Sequence, residues 1–203
     1  GAWAFVGVVW GLIFLSDALL QVVGLTVIRD LLEVGVVPWL ITGGVLGLAL
    51  AVVQELSDYV SPYLILRLLR LLLPIVVVVT AVFLLALPVR GLSGLFGGLS
   101  VALTLLAMAG AGATLVTTAV DCDDVQATQS VALVSGARAL SLMLPLLAGF
   151  AAWAIWLRVN QYGWTPDRFF AAEVAALGLG YGVLYAGAVL RGAGWMERIR
   201  TAN

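Results

Sequence analysis

The chain has no histidine, no lysine and one cysteine among its 203 residues. Without imidazole there is no His-ligated haem or chlorin, no HExxH zinc site, and no triad built on a histidine base. Without lysine there is no Ser-Lys dyad and no Schiff base. Cys122 has no partner for an internal disulfide, so cysteine usage does not report the redox compartment. Asp121, Asp123 and Asp124 beside it disfavour the thiolate and make it a poor nucleophile. Charge is scarce as well. Asp, Glu and Arg make up 10% of the residues, against about 25% in soluble domains. A net charge of −1 with no basic cluster excludes a nucleic-acid partner.

What fills the chain instead is apolar. Hydrophobic residues reach 63% and the mean hydropathy is +1.14. So little charge cannot coat a globule in water, and the chain belongs in a lipid bilayer. A spanning helix needs about 20 apolar residues. Six segments qualify: Trp3–Gly24, Val34–Val53, Leu71–Pro88, Leu99–Val120, Leu140–Leu157 and Phe169–Leu190. Barrel strands would alternate apolar and polar positions, and runs such as "PIVVVVTAVFLLALP" do not. The expected fold is an all-α integral membrane protein, one multi-pass domain over 1–203 with six transmembrane helices and short loops.

The chain starts at Gly1 and is apolar by Trp3, without the basic n-region of a signal peptide. The first segment is therefore read as a true span, and residues are expected to be missing before it. With six spans, Arg67, Arg70, Arg138, Arg191, Arg198 and Arg200 share one side, and Arg29, Arg90, Arg158 and Arg168 the other. Counting basic residues then places both ends in the cytoplasm. The third span, measured from Tyr63 to Pro88, would make about 39 Å of helix against a hydrocarbon core of about 30 Å. Arg67 and Arg70 in its first turns, and Arg138 later, are expected to reach for lipid headgroups. "RLLRLLLP" (67–74) and "RALSLMLP" (138–145) share their Arg-to-Pro spacing, which suggests a duplicated helix pair over 63–120 and 134–190.

The longest polar stretch is "QYGWTPDR", 161–168. Thr165 suits a helix N-cap, Pro166 the first helical position, and Asp167 the positive end of the dipole. Gly163 can take the positive φ that ends the preceding helix. Trp153, Trp156, Tyr162 and Trp164 gather where amphipathic rings prefer to sit, with Arg158 and Arg168 flanking the turn. "LRVNQYGWTPDR", preceded by "LMLPLLAGFAAWAIW", resembles bacterial inner-membrane proteins grouped as domain of unknown function 4153. Their turn of the form Arg-x-x-Gln-Tyr-Gly-x-Thr-x-x-Arg would fall on Arg158, Gln161, Tyr162, Gly163, Thr165 and Arg168. "RLLLPIVVVV…LALP" and the closing Trp195, Ile199 and Asn203 fit as well, whereas "DCDD" (121–124) departs from the pattern. The resemblance implies a bacterial inner membrane and a longer parent protein; it implies no activity.

Two carboxylates fall inside spans. Asp17 lies about 5 Å from the midpoint of the first at 1.5 Å per residue. An ionised Asp at a span centre costs roughly 2.5–3.5 kcal/mol, so it must be neutral, paired or facing water. Glu173 is about one turn inside the sixth span. The pair is a candidate proton or ion site, or two structural hydrogen-bond partners. "DCDD" lacks the ligand number and turn glycine of a calcium loop and is read as an acidic cap on the next helix. No metal site and no cofactor are expected. Small residues mark helix contacts: Gly43 and Gly47, Gly110 and Gly112 within "AMAGAGAT", and Gly178 and Gly182. No P-loop and no GxSxG elbow is present. The best reading is a non-catalytic accessory or assembly subunit packed among other membrane protein subunits. The alternative is a transporter or lipid-handling protein using Asp17 and Glu173.

Overall fold

The computed structural model describes residues 2–55, 63–90, 99–120 and 130–203, with side chains for 2–51, 69–89, 101–120 and 130–203. Among these residues there are eight helices and no strand. They are α1 (Ala2–Val22), α2 (Val27–Glu33), α3 (Val37–Glu55), α4 (Tyr63–Arg90), α5 (Leu99–Val120), α6 (Val131–Tyr162), α7 (Pro166–Leu190) and α8 (Trp195–Ala202). Helices α1, α4, α5, α6 and α7 are long and apolar enough to cross a membrane. Helices α2 and α3 meet at 94° and, taken as one bent span, raise the count to six. The protein is thus a multi-pass helical membrane bundle.

Each break has a local cause. Gly24 takes φ 73° just after α1, a conformation only glycine adopts without strain. Pro38 is the second residue of α3, where a missing N–H is harmless, so the second span starts three residues later than hydropathy alone suggests. Helix α4 runs unbroken from Tyr63 through Pro74 and Pro88, as the length argument required. Helix α6 is longer than its apolar segment, 32 residues against Leu140–Leu157. Its N-cap is Ser130 and its first turn holds no acid. The acidic stretch "DCDD", read as a cap, lies outside the described residues.

Helix α6 is the axis of the tighter half, with α5 and α7 packed along it. The approach of α7 is backbone to backbone: a Cβ on Gly182 would lie 2.8 Å from the Pro145 nitrogen and 2.9 Å from its Cα. Pro145 has no N–H to give the Ser141 carbonyl one turn back, and the Ser141 hydroxyl itself donates to Ala137 O at 2.7 Å. On α5, a Cβ at Gly112 would meet the Leu144 Cδ2 at 3.0 Å. Helix α1 packs on α3, α4 and α5, joined to α3 by Trp10 Nε1 donating to Thr42 Oγ1 at 3.2 Å. The helix pairs of the suggested duplication are α4–α5 and α6–α7, and the second pair is much more closely packed than the first.

A Gly182→Ala substitution should overpack the α6–α7 seam and lower stability by about 1–3 kcal/mol. Gly110→Ala, where a Cβ meets nothing within 4 Å, should instead keep or raise stability, by up to about 1 kcal/mol. Thermal unfolding of the two variants in the same detergent checks this.

Candidate functional site

The polar groups gather at the two ends of the bundle. The turn between α6 and α7 is one of these clusters. Gly163 ends α6 at φ 74° and its N–H reaches Val159 O. Thr165 is the N-cap of α7, its hydroxyl oxygen accepting from the Arg168 N–H at 3.4 Å, with Pro166 and Asp167 following in the first turn. Arg168 folds back: its Nη1 donates to Gly163 O at 2.7 Å and Tyr162 O at 3.2 Å. Arg158 and Arg168 lie over the Tyr162 ring, 5.4 and 5.6 Å from its centroid. Trp164 packs edge-on against Phe169 at 6.1 Å. Gln161 and the aromatic rings of Trp153, Trp156, Tyr162 and Trp164 stay exposed. The hydrogen bonds of Thr165 and Arg168 join residues of the turn to each other, as a structural turn requires. The exposed rings are left as an interfacial belt.

The opposite end holds a cluster that sequence reasoning missed. Arg70, buried in α4, donates from Nε to Thr118 O on α5 at 2.6 Å. It turns inward to a buried carbonyl of α5 and does not reach for headgroups as expected. Arg138 is exposed and lies over the Trp195 ring at 5.3 Å, while the side chain of Arg67 is outside the described ones. Arg200 of α8 reaches Val120 O with Nη1 at 3.5 Å. Thr117 donates to Ala113 O at 3.0 Å and sits 3.0 Å from the Tyr185 hydroxyl, which also bonds the Asn203 side chain. Asn203 Nδ2 donates in turn to Thr117 Oγ1 at 3.5 Å. The sequence carried a trace of this in the Trp195–Ile199–Asn203 pattern, whose first two residues are the buried ones of α8. Tyr185 and Arg70 gave no signal.

The carboxylates are not brought together. Asp17 is half-buried on α1, its Oδ2 accepting from Gln21 Nε2 at 2.6 Å and its Oδ1 buried without a partner. Glu173 is exposed on the outward face of α7, and no hydrogen bond or ion pair reaches it among the described residues. Helices α1 and α7 make no contact. No group of His, Cys, Asp and Glu side chains that could hold a metal occurs among the described residues.

The small residues divide into two sets. Gly112, Gly178 and Gly182 face α6, as expected of contact residues. Gly43, Gly47 and Gly110 have nothing within 4 Å of a Cβ, so they mark no helix contact among the described residues. Around Gly110, residues Ala109, Ala113, Gly178 and Tyr181 line a shallow groove of about 210 Å3 between α5 and α7.

No family model matches this chain, and no curated protein or solved structure is significantly similar to it.

Two buried hydroxyls allow a direct comparison. Thr117→Val removes a bonded group and should cost about 0.6 kcal/mol, with about 1.7 kcal/mol as the upper limit for such bonds in membranes. Thr80 is fully buried and its hydroxyl has no partner. Thr80→Val should therefore be neutral or stabilising. Midpoints of thermal unfolding in detergent decide the sign of each.

Proposed function

We propose that this chain is a non-catalytic accessory or assembly subunit of a larger complex in the bacterial inner membrane, with the outer face of α7 as its docking surface and its two ends in the cytoplasm. Glu173 carries this reading. It lies about 10 Å along α7 from Pro166 at 1.5 Å per residue, among the exposed Phe169, Phe170 and Leu177. A carboxylate turned towards hydrocarbon is costly unless paired, and this chain supplies no partner for it among the described residues. A donor from another subunit would supply one. Of the five apolar spans, α7 is also the one least covered by its own chain. The resemblance of the α6–α7 turn to the family of unknown function 4153 supports the choice of membrane.

A transporter or lipid-handling protein working through Asp17 and Glu173 ranks second. It needs the two carboxylates on one path, and they lie on helices that do not touch.

Mild-detergent extraction of the intact protein, native electrophoresis and mass spectrometry should recover it with other subunits in fixed stoichiometry. Glu173→Arg should release them, while Glu173→Gln, which keeps a hydrogen-bonding group, should retain most of the complex. Migration as a lone chain or homodimer would overturn the proposal.

A further inference from the structure

The chain turns sharply at the end of α7. Gly192 and Gly194 both take positive φ, 76° and 74°, a region that glycine enters without strain. They fold α8 back across the end of the bundle, where its Trp195 and Ile199 are buried. Between α7 and α8 this leaves a recess of about 460 Å3, lined by Leu184, Ala188, Arg191, Arg198, Thr201 and Ala202.

The lining changes from apolar to cationic along α7. That helix has 25 residues, about 37 Å at 1.5 Å per residue against a hydrocarbon core of about 30 Å. Arg191, just past its end, therefore stands at headgroup level. The exposed Leu184 lies about 10 Å deeper, in the hydrocarbon.

The arginines of this end fall into two sets. Arg70, Arg138 and Arg200 are engaged by the protein itself, with Thr118 O, the Trp195 ring and Val120 O. Arg191 and Arg198 are exposed, and neither side chain makes a hydrogen bond or ion pair among the described residues. Glu197, the only acid of α8, pairs with neither of them. The Thr201 hydroxyl is already committed to Glu197 O at 2.9 Å. Two guanidinium groups are thus the donors that the recess offers, and guanidinium is suited to bidentate binding of phosphate. No carboxylate lines the recess to receive an ammonium, so a headgroup of net negative charge fits better than a zwitterionic one.

The geometry points to a binding site for an anionic phospholipid, its phosphate between Arg191 and Arg198 and the first part of an acyl chain against Leu184 and Ala188. Glu173 lies about 27 Å back along α7 at 1.5 Å per residue, so the lipid site does not depend on any partner docking there.

The test uses the full protein alone in nanodiscs of phosphatidylcholine with added phosphatidylglycerol carrying a photoreactive diazirine near the ester of one acyl chain. Adducts are mapped by peptide mass spectrometry. Residues 184–188 should label saturably, and unlabelled phosphatidylglycerol should compete at least tenfold better than phosphatidylethanolamine. Ile75 and Val78, exposed on α4, should label in simple proportion to the probe. An arginine near an anionic membrane surface contributes about fivefold in affinity. Arg191→Gln combined with Arg198→Gln should therefore cut labelling of 184–188 at least tenfold while α4 labelling stays unchanged, which also reports folding. Arg198→Gln alone, with a loss of about fivefold, serves if the double variant does not fold. Labelling of 184–188 that is absent, unsaturable or undiminished in a folded variant would overturn the site. Equal competition by phosphatidylethanolamine would overturn the choice of an anionic headgroup, and displacement by inorganic phosphate as effective as by phosphatidylglycerol would overturn a lipid as its source.

Discussion

Inside a bilayer a helix must satisfy its own backbone, and near the last described turn of α5 donors from two other helices reach its carbonyls. The last four carbonyls of any helix lack intrahelical partners, and an unsatisfied one away from water costs several kcal/mol. Thr118, Ala119 and Val120 are all buried, and the last turn of α5 holds no basic residue. The donors come from elsewhere: Arg70 of α4 reaches Thr118 O, and Arg200 of α8 reaches Val120 O. Both guanidinium groups also sit at the negative pole of the α5 dipole. Much of that end of the molecule follows from this requirement. Helix α8 must lie across the ends of the spans, which buries Trp195 and Ile199 and brings Asn203 within reach of Tyr185 and Thr117.

The rest of the bundle divides by packing quality. Helices α5, α6 and α7 meet at Gly112, Gly178 and Gly182, the first two against side chains and Gly182 against the backbone of Leu144 and Pro145. Helices α1 to α4 meet through larger side chains and leave a recess beneath α2. The framework is tight on one side and open on the other, leaving that apolar recess among α1, α3 and α4 and the outward face of α7 uncovered by the chain itself.

The α6–α7 turn was legible in full. Thr165, Pro166, Asp167 and Gly163 act through interactions spanning only a few residues, and such interactions are carried by the order of residue types alone. Arg70 was not legible. Its place near the start of a long span suggested a side chain reaching for headgroups, and nothing local reveals that the end of α5 lies beside it. Gly43 and Gly47 have the same spacing as Gly178 and Gly182, yet only the second pair meets a neighbouring helix.

The sequence by itself determined the class of the protein, the position of its spans and the chemistry it lacks. Transfer into a bilayer is nearly a sum over residues, and a missing imidazole is missing in any fold. The tertiary structure alone decided which faces meet, that Asp17 and Glu173 stay apart, and that two arginines close the end of α5. In an apolar span the core-facing and lipid-facing residues are equally apolar, so periodicity carries no record of which side is which.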